Sequence, residues 1–267
     1  SMIRLYCAVH KRPEMTRMFL RNLEYVREET GKELPLTAVY SREEDKKILE
    51  EFNVDQIVYA PNEPLSYKNN IGVGATFDRE WDRLIQLGSD SLITKDMIYA
   101  IENTKHDFTA FNKCYFYDQV TDEAILWEMT GYIGSGRSFS RSMLAKCWAS
   151  KYVTTRTFYH FRKGQEHFVP DGCYRYYRRK DCISVSPISK ERKFMLWQQP
   201  LMKGLDRESN RVLEEIGYKV QVIEGIHQVE IKGDFNITPF ERIKSRAKVI
   251  DKSIPLDLIN YERLQEV

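Results

Sequence analysis

Apolar and polar positions along this chain follow two rhythms, and the change between them falls near Phe108. Ile3 to Val9, Leu36 to Tyr40 and Gln56 to Tyr59 are short apolar runs that predict buried strands. Between them, Met18, Phe19, Leu23 and Val26 recur at helical spacing within Glu14 to Glu29, and Ile48, Leu49 and Phe52 do so within Arg42 to Phe52. Pro13 suits the first turn of the first helix. A further helix is expected over Asn70 to Trp81, a buried strand over Arg83 to Leu87 and a short helix over Lys95 to Asn103. Strands and helices alternating at this spacing predict a parallel sheet with helices on both faces.

Beyond Phe108 the period shortens. Phe108 to Tyr117 and Ala124 to Met129 alternate and carry aromatics, as antiparallel strands do. Helices are expected over Ser138 to Ser150, Cys173 to Arg179 and Glu208 to Ile216, with strands over Ser184 to Ser186 and Tyr218 to Ile223. No repeat, low-complexity tract or linker interrupts the chain. The expectation is therefore an α/β protein with an open, mostly parallel, Rossmann-like sheet and a small antiparallel addition. Residues 2–267 would form one domain, divided into halves at about residues 107 and 108.

Composition narrows the classes. With 42% hydrophobic residues, the 267-residue chain can bury a substantial core. Its 41 basic and 39 acidic side chains nearly cancel, which leaves no global field to attract nucleic acid or anionic membrane. No apolar run approaches the roughly 20 residues that span a bilayer, and no secretory signal is visible, so a cytoplasmic protein is expected. Five cysteines without Cys-x-x-Cys spacing predict reduced, buried thiols and no disulfide framework.

Candidate chemistry is concentrated in a few turns. Gly88-Ser89-Asp90-Ser91 closes a buried strand at its carboxyl end, where ligands bind in open α/β sheets. A carboxylate there can hold Mg²⁺ or Mn²⁺ against a diphosphate, and it can equally cap a helix or make an Asx turn. Lys68 and Asn70 lie where a phosphate or a helix entrance would need them. Gly131 to Gly136, GYIGSG, lacks the Gly-Lys-Ser/Thr ending of a phosphate loop and follows antiparallel strands, which excludes both that reading and a dinucleotide fingerprint. Close approach of the backbone to a sugar is the better reason for those glycines. Asp171 lies in a Pro-Asp-Gly turn, and His227 stands among apolar residues.

In sequence order, these segments resemble the family 2-like nucleotide-sugar glycosyltransferases of the GT-A fold, including phage-type members that carry Leu-Gly-Ser-Asp-Asp. The segments are the His-Lys-Arg-Pro-Glu turn, Asn62 to Gly72, Leu87-Gly-Ser-Asp90, the glycine-rich segment with Phe139-Ser-Arg141, Asp171-Gly172 and a late histidine. The resemblance covers about residues 2–182. It implies that Val9, His10 and Arg12 border the base and ribose of the donor, with Lys68 and Asn70 near the nucleotide. Ser89 and Asp90 would hold the diphosphate through Mn²⁺ or Mg²⁺, His227 would complete the metal site, and Asp171 would be the general base of an inverting transfer. One departure is that Ser91 stands where those sequences usually carry a second Asp. It leaves open a weakened, nucleotide-sugar-binding relative. A nucleotidyltransferase is the other alternative, although residues 9–14 lack the expected glycine. The acceptor is expected to be a glycan or hydroxymethyl-pyrimidine DNA. The basic and aromatic stretch Lys151 to Lys180 suits either, because aromatics stack on sugars and on bases.

Overall fold

The computed structural model describes residues 2–149, 151–153, 159–162, 174–179, 182–187, 191–193, 196–197, 201–202, 204–233 and 239–265. Its first half alternates as the apolar pattern requires: β1 (Ile3–Ala8), α1 (Pro13–Thr30), β2 (Leu36–Tyr40), α2 (Glu43–Glu51), β3 (Gln56–Tyr59), α3 (Leu65–Ala75), β4 (Arg83–Leu87), β5 (Ser91–Leu92) and α4 (Lys95–Asn103). There follow β6 (Phe108–Asp118), β7 (Glu123–Glu128), β8 (Arg137–Ser140), α5 (Arg141–Ala149), β9 (Lys151–Val153) and β10 (Tyr159–Arg162). The chain continues through β11 (Tyr174–Arg179), β12 (Cys182–Pro187), β13 (Glu191–Lys193), α6 (Leu205–Glu215) and β14 (Gln221–Lys232). It closes with α7 (Phe240–Lys244), β15 (Lys248–Ile250), α8 (Ser253–Leu258) and α9 (Tyr261–Leu264).

One ten-stranded mixed sheet organises the molecule in the order β15-β7-β6-β8-β4-β1-β2-β3, with β14 joined to β6 and β5. The β4-β1-β2-β3 part is parallel, while β8 runs antiparallel between β4 and β6. The fold is thus the expected α/β type. Side-chain alternation along β1 explains its two-sided burial. Ile3, Leu5 and Cys7 face a core closed by Met15, Phe19 and Leu23 of α1, whereas Tyr6 faces a second core with Leu84, Trp81 and Trp197. Cys7, Cys114 and Cys147 are buried free thiols, as the cysteine spacing predicts.

Four elements differ from the sequence expectation, the first being the helix expected from Ser138, which starts at Arg141 because Ser138 to Ser140 belong to β8. The helix expected from Asn70 starts earlier, at Leu65, directly after Pro64, whose extended backbone forms the N-cap position. Gly72 in that helix packs on the sheet so closely that a Cβ there would lie 2.5 Å from Cε2 of Tyr6, which explains a glycine inside a helix. Tyr174–Arg179, expected to be helical, is a strand paired antiparallel with β12; its three tyrosines favour the extended state. The strand expected to end at Ile223 continues to Lys232, through an irregularity in its pairing with β6 between Ile223 and His227. Gly225, at φ 77°, accommodates that irregularity in mid-strand.

Candidate active site

β1 has β2 on one side and β4 on the other, so the chain reverses its winding direction between β1 and β4. Crevices open at the carboxyl ends of strands at such switch points. Here a cleft of about 590 Å³ lies between the residues that follow β1 and those that follow β4, covered by α3, Ser135, Met202 and Asp206. Val9, His10, Arg12, Lys68, Ser89 and Asp90, all singled out from the sequence, line it together.

The loop after β1 is held in an uncommon conformation. Lys11 and Arg12 both have φ 57°, and the Lys11 N–H donates to Asp45 Oδ2 at 3.1 Å. Arg12 precedes Pro13, the first residue of α1, and its guanidinium donates to Ser89 Oγ at 3.0 Å. A hydrogen bond therefore joins the loop after β1 to the turn after β4. His10 has a buried Nδ1 with no hydrogen-bond partner among the described residues. Partial burial, with Lys68 nearby, lowers its pKa below the ordinary value against the opposing pull of Asp45, so the imidazole is neutral near pH 7.

Lys68 is only 1% exposed, yet its ammonium reaches the cleft wall. It donates to the Val9 carbonyl at 2.7 Å and to Asn62 Oδ1 at 3.1 Å. An ammonium carries three donors, and these bonds account for two of them. Burial lowers its pKa to about 8, with Asp45 and Cys7 acting in the opposite direction. It stays mostly charged at neutral pH.

Asn70 does not line the cleft. Its amide is used on the backbone of Trp197, donating to the carbonyl and accepting from the N–H at 3.2 Å. Asn69, one position earlier, faces the cleft and accepts a 2.5 Å hydrogen bond from the Tyr6 hydroxyl. The His227 backbone lies in β14 opposite Lys113, and its side chain is outside the described residues. Asp171, the expected general base, is outside them as well, and so is much of Lys151 to Lys180.

The Asp-x-Asp comparison meets a different arrangement. Ser91 is fully buried, and its hydroxyl donates to Glu230 Oε1 at 3.1 Å instead of facing the cleft. Lys232, two residues further along β14, puts its ammonium 3.4 Å from Glu230 Oε2 and 3.9 Å from Asp90 Oδ2. Burial and the neighbouring Asp90 raise the Glu230 pKa to about 7, with Lys232 and the Ser91 hydrogen bond opposing them. Among the described residues no three His, Cys, Asp or Glu side chains converge as a metal site. A carboxylate with an ammonium beside it, next to a serine and a glutamate bonded to each other, is a poor setting for Mn²⁺ or Mg²⁺. Of the two carboxylates that line the cleft, Asp90 has the Lys232 ammonium beside it and Asp206 pairs with Arg137, while Glu230, behind Asp90, accepts from a serine.

Several residues in the cleft or beside it were not singled out from the sequence. Ser135, inside the glycine-rich segment, accepts from the Gly88 N–H at 2.9 Å and so fixes the turn that carries Asp90. Gly134 has a packing reason to lack a side chain: a Cβ would fall 1.9 Å from Asp206 Oδ2. Asp206 lies in the first turn of α6 and pairs with the fully buried Arg137 at 3.3 Å. Glu230 and Lys232 escaped because the apolar pattern ends their strand too early; their i, i+2 spacing becomes informative only once the strand is known to continue.

No protein-family model matches the sequence, and no curated protein matches it either. Solved structures similar in fold include a mannosyltransferase from Pyrobaculum calidifontis in complex with GDP-Man and Mn²⁺. It is 9% identical, with a TM-score of 0.49 over 100% of this chain and 65% of that one. A 4-diphosphocytidyl-2C-methyl-D-erythritol synthase from Anaerococcus prevotii is 10% identical, with a TM-score of 0.41 over 98% and 99% of the two chains. Glucosyl-3-phosphoglycerate synthase from Mycobacterium tuberculosis is 8% identical, with a TM-score of 0.37 over 54% and 59%.

Proposed function

We propose that this chain is a glycosyltransferase that moves a sugar from a nucleoside diphosphate to an acceptor hydroxyl. The observation that carries the reading is the cleft between β1 and β4, which gathers Lys68, Arg12, His10 and Asp90 in a volume of about 590 Å³. Such a volume lies within the range of sites for compact, polar small molecules. Its cations suit a diphosphate, and its neutral imidazole suits a base or ribose.

The reaction makes two demands on the protein. Negative charge accumulates on the leaving diphosphate as the bond to the anomeric carbon breaks. Donors already in place, the third N–H of Lys68 and the Arg12 guanidinium, would offset that charge without reorganising. The attacking hydroxyl must lose its proton, and the sequence resemblance assigns that step to Asp171, with inversion at the anomeric carbon.

The test is release of nucleoside diphosphate from a panel of uridine, guanosine and thymidine diphosphate sugars by the full chain. Acceptors would be glycans and duplex DNA with and without hydroxymethylated bases. Transfer that is lost in Lys68→Met supports the reading. Pyrophosphate release from nucleoside triphosphates, without sugar transfer, would assign nucleotidyl transfer instead. Affinity for the sugar nucleotides without any turnover would make the chain a binding protein.

A further inference from the structure

Asp90 is fastened to β14 by its backbone as well as by charge. Its carbonyl accepts from the Ile231 N–H at 3.1 Å, and the next residue, Ser91, is in register with Glu230 across the β5–β14 pair. Lys232 closes this junction. Its side chain is 9% exposed, with Nζ 5.3 Å from the centre of the Phe116 ring and within 4 Å of both carboxylates.

We propose that Lys232 is a counter-cation built into the chain at the Asp90 end of the cleft, taking the place of a divalent ion, so that a nucleoside diphosphate binds there without metal. The inference rests on the nucleoside-diphosphate reading of the cleft and deepens it by naming how charge is balanced.

Three observations carry it. First, a divalent ion on Asp90 would stand within a few ångströms of a second positive centre, the largely buried Lys232 ammonium, and the two would repel each other. The ammonium is held there: Phe116 covers it, and Glu230 and Asp90 flank it. Second, the two oxygen-bearing side chains beside Asp90 on β5 and β14 are already engaged with other partners. The Ser91 hydroxyl donates to Glu230, and Glu230 pairs with Lys232. Third, an unneutralised Asp90 would repel a diphosphate drawn in by Lys68 and Arg12. Lys232 removes that repulsion from behind, without lining the cleft itself.

The experiment has two arms on the full chain. Free Mn²⁺ is titrated by electron paramagnetic resonance, without nucleotide, against the wild type, Asp90→Asn, Lys232→Met, Lys232→Arg and the double variant Lys232→Met/Asp90→Asn. The wild type and the arginine variant should leave Mn²⁺ free. The methionine variant, which keeps the stem packed on Phe116, should gain a site that the double variant loses. In the second arm, calorimetry measures UDP and GDP binding in EDTA and in Mn²⁺. Wild-type affinity should be equal in the two buffers. Lys232→Met should bind on the order of tenfold more weakly in EDTA and recover with Mn²⁺. Wild-type Mn²⁺ binding that Asp90→Asn abolishes, or nucleotide binding that needs Mn²⁺, would overturn the proposal. So would a folded methionine variant that gains no Mn²⁺ site. Should that variant not fold, the Mn²⁺ titrations of wild type and Asp90→Asn still decide. If neither nucleotide binds the wild type in either buffer, the reading of the cleft fails, while the Mn²⁺ arm still tests the role of Lys232.

Discussion

The ammonium of Lys68, on α3, donates a 2.7 Å hydrogen bond to the carbonyl of Val9, the residue that follows β1. It also holds Asn62, just beyond β3, so a single buried cation ties together the ends of two strands and one helix. The same group is the cleft's least exposed charge, and its pKa is lowered from 10.5 to about 8 by burial. Two opposite trends with pH follow. Affinity for a nucleoside diphosphate should fall as pH rises through about 8, because the cation is lost. Stability should gain from this group over the window from 8 to 10.5, because there the unfolded chain binds more protons than the folded one. Lys68→Met should bind nucleotide weakly at every pH and lack both trends. Calorimetric titration and urea unfolding at a series of pH values measure the two.

Asn70 presents a test between a ligand contact and an internal clamp. Its amide satisfies both the N–H and the carbonyl of the buried Trp197 backbone. Asn70→Ala should cost about 2–4 kcal/mol of stability, since two buried backbone groups lose their partners. Nucleotide affinity of the folded protein should stay within a factor of about two. A tenfold loss of affinity with stability intact would instead restore the nucleotide contact that the sequence resemblance implies.

Ser91→Asp restores the second carboxylate that the resembling sequences carry, but the structure gives that position an interior environment. The new carboxylate would face Glu230, whose own pKa is already raised to about 7 by burial and Asp90. The expected outcome is a loss of about 2–4 kcal/mol at neutral pH and no gain in Mn²⁺ affinity. Chemical unfolding and a Mn²⁺ titration check it. Stronger Mn²⁺ binding together with faster sugar transfer would reinstate the Asp-x-Asp comparison.

Asp171→Asn separates a base from a turn residue. An amide keeps the shape of the carboxylate but cannot accept the acceptor's proton. Turnover should fall by about 10²–10⁴-fold while donor affinity is unchanged. Unimpaired turnover in single-turnover assays would leave Asp171 as a turn residue alone.

The sequence by itself determined the α/β class, the positions of β1 to β4 and most of the cleft. These depend on local properties: apolar runs of strand length, helical spacing and turns that end strands. Because the cleft in an open sheet is built from residues just after the strands, a correct strand boundary places Val9, His10, Arg12, Ser89 and Asp90 almost automatically. Only the tertiary structure decided which face each neighbour presents. Asn69 rather than Asn70 looks into the cleft because a helix turns its side chains about 100° per residue, and one position reverses their roles. The charge environment of Asp90 was beyond the linear pattern altogether. Glu230 and Lys232 lie about 140 residues away and reach it only because β14 continues past its irregularity and pairs with β5. Strand pairing over such a separation is set by packing of the whole sheet, and no local period along the chain encodes it.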